Sequence, residues 1–113
     1  MLTITFKKNQ IGEITGFVAD GHTNYGVEGE DIVCAAASSI IQTAALGILV
    51  VAETGAEFKK DDKKGYFELN LPDDITPTQR RDCNIILRTM LVGLDDLATN
   101  YSDFVELKGI ERY

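Results

Sequence analysis

The sequence predicts an α+β fold, a small two-layer sandwich in which a mixed or antiparallel sheet carries two helices in the order ββαββαβ. Two apolar periods point there: short runs alternating at period 2, and two long runs at helical spacing. Paired short runs also flank turn-forming residues, so hairpins dominate the connections. A chain of 113 residues is the size of one domain, so residues 1–113 are read as a single unit.

Leu2, Ile4 and Phe6 alternate with Thr3, Thr5 and Lys7, the signature of a half-buried strand. Asn9-Gln10-Ile11-Gly12 reads as a turn, and Glu13 to Ala19 as the returning strand of a hairpin. From Asp20 to Glu30 the pattern stops, and Gly21, Gly26 and Gly29 stand among polar residues as a loop. Asp31 is placed to cap a helix from Ile32 to about Glu53, with Gly55 as its left-handed terminator. Almost every residue from Val33 to Val51 is small or apolar, which requires a sheet on one side and a helix or second subunit on another.

Ala56–Lys60 and Tyr66–Leu71 then pair about the lysine–aspartate run at residues 59–64. Thr76-Pro77-Thr78-Gln79 combines a capping box with a proline at the first helical position. Cys83, Leu87, Met90, Leu91, Leu94 and Leu97 continue that helix to about Thr99, and Phe104, Val105 and Leu107 close the sheet.

Charge and composition exclude several function classes. Eleven Lys and Arg against eighteen Asp and Glu give a formal net charge of −7, the opposite of a nucleic-acid footprint. The most apolar stretch, Ile40 to Ala52, is too short to cross a bilayer, so the reading has no membrane partner and a cytoplasmic setting. Two cysteines make no disulfide framework, and one histidine leaves no paired-ligand spacing for a metal. No cofactor motif is present: Gly26 and Gly29 lack the Lys-Ser or Lys-Thr of a phosphate loop.

The chemistry concentrates between Gly21 and Ser38. His22, the only histidine, opens the glycine-rich loop, and Cys34 falls at the start of the first helix. Unpaired backbone N–H groups and the macrodipole favour a thiolate there and offer donors for an oxyanion. The dipole contributes on the order of 0.3–1 kcal/mol, less than one pKa unit, while Glu28, Glu30 and Asp31 act in the opposite sense. An imidazolium from His22 would tip the balance. The residues alone leave two readings open: a reactive pair, or a small buried thiol and a loop histidine. Asp31 or Asp20 is a candidate to orient His22, Ser38 to line the site, and Tyr25 to form an apolar subsite. Cys83 lies on the apolar stripe of the second helix, as an inert core thiol does.

Gly21-His22, Gly29 and the run Asp31-Ile32-Val33-Cys34-Ala35-Ala36-Ala37-Ser38 resemble the signature of the ribosomal-processing cysteine proteases called Prp, with Thr23 standing where that family carries alanine. The resemblance extends over essentially the whole chain. It implies a cytoplasmic endopeptidase, often homodimeric, of Firmicutes and related bacteria. Such an enzyme removes an N-terminal extension from the large-subunit ribosomal protein numbered twenty-seven during ribosome assembly. It further implies Cys34 as nucleophile, His22 as general base, and the loop bearing Gly26 and Gly29 as a lid over the peptide. The competing class is a non-catalytic assembly or adaptor protein whose acidic surface holds a basic partner.

Overall fold

The computed structural model describes residues 1–21, 30–61 and 63–109, with the backbone alone for Glu30 and Asp31. The elements follow the predicted order: β1 Leu2–Lys8, β2 Ile14–Asp20, α1 Glu30–Leu46, β3 Glu57–Asp61, β4 Tyr66–Asn70, α2 Pro77–Asn100 and β5 Val105–Lys108. The strands form one sheet in the order β3-β4-β2-β1-β5. The sheet is mixed: β1 runs parallel to β5, and the other pairs are antiparallel.

Period-2 alternation decides which face is covered. Leu2, Ile4, Phe6, Phe17, Ala19, Phe67, Leu69 and Val105 point to one face and are buried there under both helices, so the fold has two layers. Phe6 and Phe17 are cross-strand partners with ring centroids 6.3 Å apart. Ile41 and Ile48 of the first helical segment and Leu87 and Leu94 of α2 complete the core with no exposed surface. Each such side chain contributes about 1.5–3 kcal/mol by leaving water.

The start of α2 matches its sequence signature. Gln79 N–H donates to Thr76 Oγ1 at 3.1 Å and Thr76 N–H donates to Gln79 Oε1 at 3.0 Å, with Pro77 at the first helical position. Asn84 then ties α2 to the sheet: Ile14 N–H donates to its Oδ1 at 2.9 Å, and its Nδ2 donates to Ile14 O at 3.2 Å. In the β3–β4 turn, Asp61 Oδ1 accepts from the N–H groups of Lys63 and Lys64 at 3.1 and 3.2 Å.

The first helix departs from expectation at both ends. It begins at Glu30, so Asp31 is its second residue and not its cap, and Cys34 its fifth. Acidic residues suit a first turn as well as a cap, because negative charge there opposes the macrodipole. At the other end the α-helix stops at Leu46 and widens into a π-helical turn, Gly47–Val51, in which Ala52 N–H donates to Gly47 O at 2.9 Å. The extra residue in that turn moves the terminator: Glu53, with φ 53°, takes the left-handed conformation expected of Gly55. Thr54 seals the end, its hydroxyl and N–H donating to Ile48 O at 2.9 and 3.3 Å.

The apolar segment is also longer than Ile40–Ala52. Ile32–Val51 is long and apolar enough to cross a bilayer by length and composition. Its inner face, Val33, Ala37, Ile41, Ala44, Ala45 and Ile48, is instead buried in the core.

Candidate active site

β2 ends at Asp20, in register with Thr3 of β1 and Tyr66 of β4, and α1 starts from the same end of the sheet nine residues after Gly21. Cys34 is half-buried on α1, between the buried Val33 and the exposed Ala35. Ser38 is half-buried one turn further on, as the helical period requires, so the structure brings Cys34 and Ser38 onto one flank. Gln42 continues that flank and accepts from Lys60 Nζ of the edge strand β3 at 2.9 Å. The sequence reading missed this strap, which a lysine at an inward-facing register position of an edge strand could have signalled.

The shifted helix start changes how the site would hold an oxyanion. An α-helix leaves the N–H groups of its first turn without intrahelical partners, here those of Glu30 to Ile32. Cys34 lies two residues beyond them, so its own N–H falls within the helical ladder. Side chains of a helix lean toward its N-terminus, which carries a sulfur at this position back over the first turn. His22, Gly26, Gly29 and Tyr25 lie outside the described residues, as does the side chain of Asp31.

The outer face of the sheet carries mixed charge at this end, with Lys63 and Lys64 in the adjoining turn and Lys108 paired to Glu106 at 3.3 Å. One cross-strand row reads Asp61, Tyr66, Asp20, Thr3, Glu106, with carboxylates at three of its five positions. One row further in, Glu68 accepts from Tyr66 OH at 2.6 Å, Asn70 Nδ2 at 2.9 Å and Lys7 Nζ at 3.3 Å. These three donors, Tyr66 foremost, hold its carboxyl at about 2, well below the ordinary carboxylate range.

Cys83 is fully buried near the start of α2, and burial pushes its thiol up, with Asp82 acting in the same direction. Asn84 places that stretch of α2 over the start of β2, the end remote from Asp20. Cys34 and Cys83 therefore stand at opposite ends of the sheet, and no single metal ion reaches both. Among the described residues no three His, Cys, Asp or Glu side chains cluster as metal ligands.

Among the described residues, nothing covers the outward face of α1 and of the π turn that follows it. Ile32, Leu46, Val50 and Val51 are 77%, 59%, 66% and 79% exposed. Beside them a groove of about 580 Å³ runs between the two helices, with Ile40, Gly47 and Val51 on one wall and Ile85, Ile86 and Met90 on the other.

Comparison with known proteins returns one consistent answer. The family profile described as Cysteine protease Prp matches residues 1–106. A ribosomal processing cysteine protease Prp of Staphylococcus aureus is 31% identical over 107 residues, covering 95% of this chain and 97% of that protein. Among solved structures, an essential ribosomal processing protease Prp of S. aureus in complex with a substrate peptide superposes with a TM-score of 0.86 at 29% identity. It covers 97% of this chain and 100% of that one. The S. aureus protease with a covalently linked product peptide gives a TM-score of 0.81 at 29% identity over the same shares.

Proposed function

The chain belongs to the Prp family of cysteine proteases, and from that premise we propose that Cys34 is its nucleophile and His22 the general base. The substrate we propose is the N-terminal extension of the large-subunit ribosomal protein numbered twenty-seven. The observation that carries the reading is the half-exposed thiol of Cys34 at the start of a 17-residue helix, where a negative sulfur is favoured. The covalently linked product peptide of the S. aureus relative supports a thioester route.

His22 removes the Sγ proton, and the thiolate adds to the scissile carbonyl. The first-turn N–H groups of α1 receive the oxyanion, an interaction whose loss costs about 2.7–4 kcal/mol in well-studied cases. The C–N bond then breaks as His22 returns the proton to the leaving amine. Water, deprotonated by His22, hydrolyses the thioester and regenerates the thiol. Asp31 and Ser38 are the supporting candidates, and the segment bearing Gly26 and Gly29 covers the peptide.

The net charge of −7 suits a basic ribosomal substrate, since complementary charge speeds encounter. Work on a ribosomal protein suits a cytoplasmic enzyme, acting as one domain with no direct contact with nucleic acid or membrane. A second copy covers the outward face of α1 and the groove beside α2, because an apolar patch of this extent is costly to leave in water. Sedimentation at micromolar concentration then gives twice the 12.4 kDa chain mass, and Val50→Asp gives the monomer.

A peptide spanning the processing site, incubated with wild type, Cys34→Ala and His22→Ala, tests the chemistry. Cleavage by wild type alone supports it; undiminished cleavage by either variant removes the assignment.

A further inference from the structure

We propose that Gly21 is a positioning residue, a backbone clamp that fixes where the chain leaves the sheet toward His22; this rests on the reading of His22 as general base. β2 pairs with β1 as far as Asp20 opposite Thr3. Gly21 then turns with φ 121°, a conformation L side chains rarely adopt. It also passes so close to the start of β1 that a Cβ would stand 2.0 Å from Met1 O and 3.2 Å from Leu2 Cα. Both the angle and the space demand glycine.

The surface against which Gly21 rests is itself held. Leu2 is 3% exposed, its N–H donates to Phe104 O at 2.9 Å, and it is in register with Val105 of β5. The exit point of the chain is thus braced across β1 and β5. The next residue is His22, whose Cα can lie no further than about 3.8 Å from that point. A clamp there narrows the positions an imidazole can take before it meets a sulfur. Displacing a catalytic group by about 1 Å costs roughly 10²-fold in rate.

The same strand supplies its own control. A Cβ on Gly16, at the opposite end of β2, would stand 2.3 Å from Leu69 O. Gly16→Ala and Gly21→Ala therefore insert the same methyl into comparable backbone contacts, one remote from the site and one beside His22. A third variant, with a glycine inserted between Gly21 and His22, keeps the clamp and displaces His22 from it. It covers the case in which Gly21→Ala fails to fold.

The test compares these variants with wild type and His22→Ala, at a temperature where circular dichroism shows each folded. The readouts are kcat and KM for peptide cleavage and the pH profile of Cys34 alkylation. The proposal expects Gly21→Ala and the insertion to lose about 10²-fold in kcat with KM little changed. Their alkylation profiles move toward that of His22→Ala, while Gly16→Ala keeps the wild-type kcat and profile. Wild-type kcat in the insertion or in folded Gly21→Ala overturns the clamp, as does a Gly16→Ala loss equal to that of Gly21→Ala. A His22→Ala protein with wild-type cleavage and alkylation overturns the general-base reading itself.

Discussion

Replacing Asn84 with alanine removes the side chain that closes the free end of β2. Ile14, 2% exposed, donates its N–H to Asn84 Oδ1 at 2.9 Å and accepts from Nδ2 at 3.2 Å, a two-point pairing like that of a neighbouring strand. The amide also donates to Arg80 O at 3.1 Å. Alanine leaves the buried Ile14 N–H without its partner, which costs about 1–3 kcal/mol. Its better helix propensity returns about 0.6 kcal/mol. A net loss of about 1.5 kcal/mol in a chain of this length lowers Tm by roughly 6 °C. Thermal unfolding measures the shift, and amide hydrogen exchange at Ile14 locates it, with protection present in wild type and lost in the variant. A Tm change under about 2 °C, or an Ile14 amide still protected, would refute the reasoning.

Three further outcomes rest on single groups. Glu68 is held at about 2 by Tyr66, Asn70 and Lys7, so its folded value lies below its unfolded one. Its contribution is complete above the ordinary carboxylate range and fades as pH falls through 2; Glu68→Gln flattens that part of the urea-midpoint profile. Buried Cys83 resists iodoacetamide in the native state while Cys34 reacts, so mass spectrometry finds the label on Cys34 alone until denaturant is added. Thr54→Val keeps the shape but loses the hydroxyl bond to Ile48 O and the acceptor for Ala56 N–H, a loss of about 1–2 kcal/mol by urea denaturation.

The order of elements was legible because each apolar period belongs to one kind of structure. Leu2, Ile4 and Phe6 allow only a strand, and the run from Cys83 to Leu97 only a helix, started by a capping box that depends on local residues alone. The ends of α1 were not legible. Acidic residues suit both a cap and a first turn, so Asp31 was displaced by a shift of two residues. Nothing local distinguishes Gly47–Val51 from ordinary helix, so the π turn and the left-handed Glu53 were hidden as well. In the folded chain the π turn lies against Ile86 of α2 at Gly47 while Thr54 closes on Ile48 O, and the first of these contacts comes from a distant part of the sequence.

That Cys34 and Ser38 are neighbours one helical turn apart was legible in the sequence. In the sequence Gly21 is one loop glycine among several, because its contact with the carbonyl of Met1 exists only once β1 and β2 have paired.

The pH dependence of Cys34 alkylation, in wild type and in His22→Ala with the target peptide present, tests the dyad most directly. The account predicts a wild-type thiol that reacts as a thiolate well below the ordinary range near 8.5 and returns to that range in His22→Ala. Identical profiles in the two proteins, both rising near 8.5, would contradict it.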